Sequence, residues 1–515
     1  MNNKKIGEIL LIVILSVIII VALAFAYYDI TTIYNANVNV TLNSPETSSV
    51  EIIGDTSRNI TVNSLSMFKS SEDVEAYNKT NGFLLKFAND SSTVRTCKYD
   101  YVWTWDEDSD NYTALADNEF TIITPDGEVS VPNYDAENLS TTIASGSISS
   151  QNLSYKLATY QIVFRNLSDV DQSSRLNASY KGKLSIELTS CKNVDSSFTE
   201  DTTVNLNDTI EALSVPTTSS SDDENKIIDY DDYDIRYVGT NPNNYIYFNC
   251  SDYTNQSSES CGLYRIIGLF DSRSTGVSNT KLVKLINTTY INSSLKFDSK
   301  NNTTGSNYWY DSQLMMLLNP SSSLSSNYSI SGDNVVNSDG TVVYKSMGSY
   351  YNGSTSGYDI QSVTTGSTSY NGNSIDLTNV SLKNDTTRNM IKEVSILDVA
   401  TGATNTLDSI YTYERYLGDN TWNGKILIPY YSDYLLAGLN TTGNWITSIY
   451  ESYSDTTKGI AALGSGVAKI AGSSSSISSD PTDNYFVNDS FYLNENVQLV
   501  GGSGTIDDPY QVNMN

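Results

Sequence analysis

Asp106, Asp108 and Asp110 follow Trp105 at alternating positions, and Asp117 is the twelfth residue counted from Asp106. Hard cations take clustered carboxylate oxygens at such spacing, so this stretch is the candidate calcium (Ca2+) loop of the chain. Asn111 stands where the sharp turn usually has glycine, and asparagine tolerates left-handed geometry. The flanks, Val102-Trp103-Thr104-Trp105 and Tyr112-Thr113-Ala114-Leu115, read as two hairpin strands rather than helices. An acidic hairpin turn is therefore the favoured reading and the cation loop its rival.

The other chemistry-bearing residues are defined as much by what is missing. The 515 residues include no histidine. That removes the commonest general base and metal ligand, and with it any Ser-His-Asp unit, Cys-His unit or histidine zinc site. Carboxylate pairs could still hydrolyse a glycoside, but no spacing singles out a pair, so no catalytic residue is assigned and a non-enzyme is expected. The formal charge of −29 repels phosphate, so nucleic acid is not an expected partner.

Four cysteines, Cys97, Cys191, Cys250 and Cys261, fall into two neighbourhoods. An even count in an exported chain reads as disulfides. Three connectivities are open. The local one, Cys97–Cys191 with Cys250–Cys261, keeps each bridge within one domain. A four-cysteine zinc site is the alternative, and it lacks short C-x2-C pairs. The 38 tyrosines against 12 phenylalanines suit strands with one wet face, or else platforms on which sugars stack. About twenty Asn-x-Ser/Thr sequons, Asn39, Asn111, Asn249, Asn287 and Asn440 among them, fit a polar exported surface.

These residues need elements to hold them. The first is Ile9–Tyr28, an apolar run broken only by Ser16 and preceded by Lys4 and Lys5. At about 1.5 Å per residue it spans roughly 30 Å, the hydrocarbon thickness of a bilayer. The lysines place residues 1–8 in the cytoplasm and the bulk of the chain outside, as in a single-pass membrane protein with its C-terminal mass extracellular. Ala24-Phe25-Ala26 also fits a cleavage site, so a removable signal peptide is the competing reading. Gly7-Glu8 gives only a partial match to a pilin leader.

Beyond the anchor, Asn35–Leu42, Val50–Ile53, Asn59–Val62, Phe83–Phe87, Tyr101–Trp105, Phe120–Ile123, Tyr160–Asn166 and Lys183–Leu188 read as short strands between turns. About eight strands in roughly 160 residues predict a β-sandwich over 35–195. Residues 214–234 read as an acidic linker, since Pro216 is followed by a Ser/Thr run and by Asp222, Asp223, Glu224, Asp229, Asp231, Asp232 and Asp234. The remainder, 235–515, reads as α+β. Its strands are Asn244–Asn249, Tyr264–Leu269, Leu282–Ile286, Val342–Tyr344, Lys425–Pro429 and Phe491–Val500, and its helices Asp311–Asn319 and Thr386–Leu397. The stretches Gly348–Ser369 and Ser473–Ser479 read as long surface loops. The predicted fold class is thus mainly β plus α+β, behind an N-terminal transmembrane helix.

Two resemblances add to this. Tyr160-Gln161-Ile162-Val163-Phe164-Arg165-Asn166-Leu167-Ser168, Asp171-Gln172 and Tyr180-Lys181-Gly182-Lys183-Leu184-Ser185-Ile186-Glu187 are similar to the last strands of exported sandwich proteins of the camelysin and biofilm-fibre group. Ala24-Phe25-Ala26 resembles the end of their leaders. That resemblance covers about 1–192 and implies strand exchange and self-association.

In the second half, Asn241 to Cys250 and Cys261 to Phe270 resemble the opening of surface modules of gut Firmicutes. Trp309-Tyr310-Asp311-Ser312-Gln313-Leu314, Leu317-Leu318-Asn319, Trp422-Asn423-Gly424-Lys425-Ile426 and Tyr431-Ser432-Asp433-Tyr434 match later blocks. Phe491 to Val497 and Gly501-Gly502-Ser503-Gly504-Thr505-Ile506-Asp507-Asp508-Pro509-Tyr510 match the close. This layout is similar to C-type-lectin-like and formylglycine-generating-enzyme-like modules. Tyr264 departs from the usual tryptophan, and Asn488-Asp489-Ser490 replaces an expected Arg-Pro pair. Arg265 reads as a strand arginine packing its stem, and the Pro-Tyr end as an aromatic plug.

The function expected from all this is adhesion, or binding of a glycan or a surface protein, by a membrane-anchored exterior protein. The runner-up is a structural subunit of a surface layer or fibre.

Overall fold

The computed structural model describes residues 41–514 apart from 44–47, 64–79, 90–93, 107–113, 194–202, 217–225, 231–233, 298–308, 398–413, 415–420, 438–459, 462–477, 480–483 and a scatter of shorter stretches. The apolar run 9–28 lies outside the described residues. Among those described, no helix is long and apolar enough to cross a membrane.

Ten strands come first in chain order: β1 Thr41–Asn43, β2 Ser48–Ile53, β3 Ser57–Asn63, β4 Asn81–Asn89, β5 Arg95–Trp105, β6 Phe120–Thr124, β7 Gly127–Ser130, β8 Ser140–Ser150, β9 Ser154–Phe164 and β10 Ser179–Asn193. They pair antiparallel into two sheets, ordered β1-β2-β4-β9-β6-β7 and β3-β10-β5-β8. Both sheets feed one buried cluster. The two-residue side-chain period explains the choice of residues. From β5 the inward set is Cys97, Tyr99, Tyr101, Trp103 and Trp105, and from β10 it includes Tyr180, Leu184 and Ile186.

Trp103 packs edge-on to Trp105 and Phe120, each at 5.2 Å between ring centroids. Room for its indole comes from Gly182 on β10, where an added Cβ would sit 2.2 Å from the ring. Cys97 and Cys191 stand directly opposite each other on β5 and β10 and form a disulfide. β8 has no counterpart among the strands expected from the sequence. Its run of serine, threonine and glycine contributes only Ile143 and Ile148 to the core, too sparse an alternation to read.

A second body follows. It begins with β11 (Val204–Asn205) and helix α1 (Leu206–Leu213), then β12 (Val215–Pro216), β13 (Lys226–Asp229), β14 (Ile235–Val238), β15 (Tyr245–Phe248), β16 (Gly262–Phe270) and β17 (Leu282–Asn287). The larger sheet runs β12-β13-β14-β16-β17, then Ser490–Tyr492, then Ile426–Leu427, with β15 also on β16. β12 and β13 are parallel, and the other pairs are antiparallel. Val497–Gly501 pairs with β11 and with Gln511–Met514 in a smaller sheet. Cys250 and Cys261 form the second disulfide across the β15–β16 connection. Taken together, the described residues form a mainly β protein of antiparallel sheets.

Several expectations for this half need correction. Residues 214–234 are not an open linker along their described length. Ser214 is buried, both ends supply strands, and Asp234 is buried as acceptor for the Asp271 N–H and the Ser274 hydroxyl. Ile227 and Ile228 give this acidic stretch an apolar pair to bury. The second body therefore starts by Val204 rather than at 235.

The helix expected over Thr386–Leu397 spans Asp385–Met390, capped by Asn384, and Val394–Leu397 is a strand on Thr421–Gly424. The strand Phe491–Val500 is two strands. Within 348–369, Tyr350 is wholly buried. Helix Gln313–Leu318 forms as expected, with Ser312 as its N-cap and all six residues buried. The acceptor side chain satisfies an otherwise orphaned first-turn N–H.

Candidate functional site

The site lies where the two bodies meet, and it originates in three strands that are apolar on both faces. In β2, Val50 and Ile52 face the first core and Ile53 faces the second. In β4, Phe83, Leu85 and Phe87 face inward and Leu84 outward. In β9, Ala158 and Tyr160 face inward and Tyr155 outward. Successive side chains point to opposite faces of a sheet, so the outer set Ile53, Leu84 and Tyr155 forms one patch. Ile53 and Leu84 are directly paired.

Helix α1 covers this patch with Leu206, Ile210 and Leu213, spaced to share one face. Asn205 caps the helix, its side chain accepting from the Asn207 and Asp208 N–H groups. Arg58, at the start of β3, donates to the Leu213 carbonyl at 3.3 Å. A cation at a helix C-terminus meets the negative end of the macrodipole.

The C-terminal block completes the contact. The Tyr155 hydroxyl donates to the Gly502 carbonyl at 2.6 Å, and Lys86 pairs with Asp508 at 2.8 Å. Tyr510, the expected plug, is buried. Its backbone N–H and carbonyl bond Tyr245 and Tyr247 respectively. Gly504, at φ +79°, accommodates it, since a Cβ there would lie 2.4 Å from the tyrosine ring.

Between the β2–β3 turn and the second body, a small crevice of about 50 Å³ opens to solvent. One wall is Ile53, Gly54, Asp55 and Arg58. The other combines the apolar side chains of Leu213, Val215, Ile227 and Pro242 with Lys226, Tyr237, Asn243 and Tyr510. Arg58 has a side chain only 10 % exposed. One of its terminal nitrogens bonds Asp55 at 2.7 Å, and its Nε has no hydrogen-bond partner among the described residues. Tyr237 is 1 % exposed. Burial, then the neighbouring Tyr510, holds its hydroxyl pKa well above the usual tyrosine range, so it remains a proton donor. Burial and Asp508 raise Tyr510 likewise. Apolar walls with a few polar groups at a domain junction recur in small-ligand sites, which are several times larger than this crevice.

A second concavity is polar throughout. Asp208, Glu211, Asp271 and Glu495 line it with Lys281 and several amides and hydroxyls. Lys281 pairs with Glu211 there. Burial, then Glu211, raises the Asp208 carboxyl above its ordinary range.

Two polar networks are sealed inside the second body. Arg236 and Lys284 both hold Asp433, at 2.7 and 2.5 Å, with all three side chains fully buried. The rings of Phe270, Tyr430 and Tyr492 surround Lys284 at 4.3 to 5.4 Å. Nearby, the buried Asp489 carboxylate accepts from Tyr350 at 2.7 Å, Asn287 at 2.8 Å and Tyr264 at 3.2 Å. Burial raises its pKa, and the three hydrogen bonds partly offset that rise. Arg265 packs its stem as expected, but its guanidinium also donates to Asn244, Ala437 and Gly239.

The residues singled out from sequence lie elsewhere. Asp106 is exposed at the end of β5, Asp108 and Asp110 are outside the described residues, and Asp117 is exposed before β6. Among the described residues no group of three or more acidic or cysteine side chains is arranged to hold a metal. Of the crevice residues, Pro242, Asn243 and Tyr510 belong to the blocks of the second resemblance and Ile53 to a predicted strand. Arg58, Lys226 and Tyr237 are spread along the chain with no spacing to link them. No family model, curated protein or solved structure matches the chain.

Proposed function

We infer that this is a membrane-anchored bacterial surface protein that acts in adhesion, holding a glycan or surface-protein ligand outside the cell. The observation that carries the reading is the crevice between two bodies that share one core, because it offers a preformed site on a stiff head. The apolar run 9–28, the charge of −29 and the two disulfides support an exported setting. In this reading the first body is a membrane-proximal β-sandwich and the second an α+β, C-type-lectin-like module. The full-length protein, purified in mild detergent, is expected to bind a subset of a glycan and surface-protein array as a monomer. An array without hits would remove the adhesion reading.

The runner-up is a structural subunit of a surface layer or fibre. It is favoured by the short strand β1, which among the described residues is an edge to which another chain could add. Concentration-dependent polymers in size-exclusion chromatography would decide for it.

A further inference from the structure

We propose that Lys284 and Asp433 join in an intramolecular amide bond, formed by the folded chain itself with loss of one water. The bond lies inside the second body and is independent of any ligand.

Three observations point there. First, the partners are in contact and fixed. Lys284 Nζ lies 2.5 Å from Asp433 Oδ2, and neither side chain has any exposed surface. The carboxyl carbon is one bond beyond that oxygen, so the nitrogen needs only a small shift to reach it. Oδ2 also accepts the Tyr430 N–H at 2.9 Å, and Arg236 donates to Oδ1 at 2.7 Å. Well-oriented groups on one chain react as if at concentrations of up to about 10⁵–10⁸ M.

Second, the surroundings make the lysine a nucleophile. Lysine amines are activated by desolvation and by a second cation nearby. Lys284 has both: the rings of Phe270, Tyr430 and Tyr492 enclose its Nζ, and Arg236 shares its carboxylate. The strand register sets this up. Arg236 on β14, Gly268 on β16, Lys284 on β17 and Tyr492 lie in one row across the sheet. Gly268 puts no side chain between the two cations, and Asp433, on the helix Tyr431–Ala437, bonds both.

Third, an ion pair is a costly way to fill this interior. The attraction between two charges removed from water often fails to repay their lost hydration. An amide carries no charge, and exclusion of water protects it from hydrolysis.

The step balances without a co-reactant. One ammonium proton passes to Oδ2, and the freed Nζ electron pair attacks the carboxyl carbon. The oxyanion that forms on Oδ1 faces the Arg236 guanidinium, a donor already in place. Oδ2 then takes a second proton from nitrogen, its bond to carbon breaks, and it leaves as water. The third hydrogen stays on the amide nitrogen. The two residues are 149 positions apart, so the bond staples a central strand to a helix far along the chain.

The test is mass spectrometry of the full-length protein, purified in detergent, then reduced, denatured and digested with trypsin. The expected product is a branched peptide that joins the segments containing Lys284 and Asp433. It should be lighter than their sum by one water and uncut after Lys284. Lys284→Met and Asp433→Ala should each abolish it. Separate, unmodified peptides from the folded parent overturn the proposal, and so does a branched peptide that survives either substitution. The parent alone gives the deciding result, so a variant that fails to fold leaves the test intact.

Discussion

Two buried carboxylates, Asp489 and Asp433, are held by opposite means. Asp489 is surrounded by the neutral donors Tyr264, Tyr350 and Asn287, and burial raises its pKa. Unfolded, the same group ionises near the ordinary value of about 3.9. Below that pH both states are protonated and the group costs folding nothing. As pH rises, the unfolded chain loses its proton first, so this group's contribution to stability falls until the folded carboxyl ionises as well. Asp489→Asn, which stays neutral, should therefore gain in melting temperature relative to the parent between pH 4 and pH 7. A difference that stays flat across that range would show that burial is not the controlling term. Asp433 instead sits between Arg236 and Lys284, and removing it strands two buried cations. Asp433→Asn should cost about 3–5 kcal/mol in denaturant unfolding, the range for breaking a buried ion pair by removing one partner. The sequence flagged Asn488-Asp489-Ser490 only as a departure from an expected Arg-Pro pair. Its tyrosine and amide partners lie 139 to 225 positions away, which no local pattern reveals.

Among elements, α1 departs furthest from expectation. Asn205 as a cap, with Leu206, Ile210 and Leu213 at helical spacing, was a readable signal, but it lies next to an acidic stretch whose composition resembles a linker. Eight residues are too few for a helix to persist in water alone, so packing against the outer face of β4 must hold it. Ile210→Ala should then cost about 2–5 kcal/mol, the usual range for emptying a buried aliphatic site. Asn205→Ala should cost roughly 1 kcal/mol through the lost cap. A loss at Ile210 no larger than that at Asn205 would mean that the helix does not depend on its packing. The strands tell the complementary story. β2, β4, β5, β6 and β9 carry runs of aromatic and branched residues and were legible, whereas β8, mostly serine, threonine and glycine, was not. The disulfides were legible because few pairings were open, and only the structure shows Cys97 facing Cys191 across adjacent strands. By loop-closure entropy, the 94-residue separation makes that bridge the stronger staple, at roughly 4–5 kcal/mol against roughly 3 for the Cys250–Cys261 separation of 11.

At the scale of the molecule, the sequence suggested two domains on a flexible tether, and the described residues instead form two bodies that share a core. The signal lay in Ile52-Ile53 and Phe83-Leu84-Leu85, where adjacent apolar residues break the alternation of a strand with one wet face. Such runs mean both faces are covered, but they do not say by what. The covering elements, α1 and the Gly501–Tyr510 block, lie far along the chain, and so do most walls of the crevice. If the shared core couples the bodies, they should unfold together. Calorimetry of the parent protein should show one cooperative transition. Leu84→Glu places a charge in the shared core while leaving Phe83 and Leu85 to pack the first core, so it should split that transition into two. The cost of burying the unpaired carboxylate falls on the contact between the bodies, because the glutamate can regain water only by parting them. The disulfides do not interfere, since each closes within one body. The same variant should lose any ligand held in the crevice, whose two walls come from the two bodies, even where each still melts on its own. A single transition at lower temperature would instead mean that neither body folds without the other.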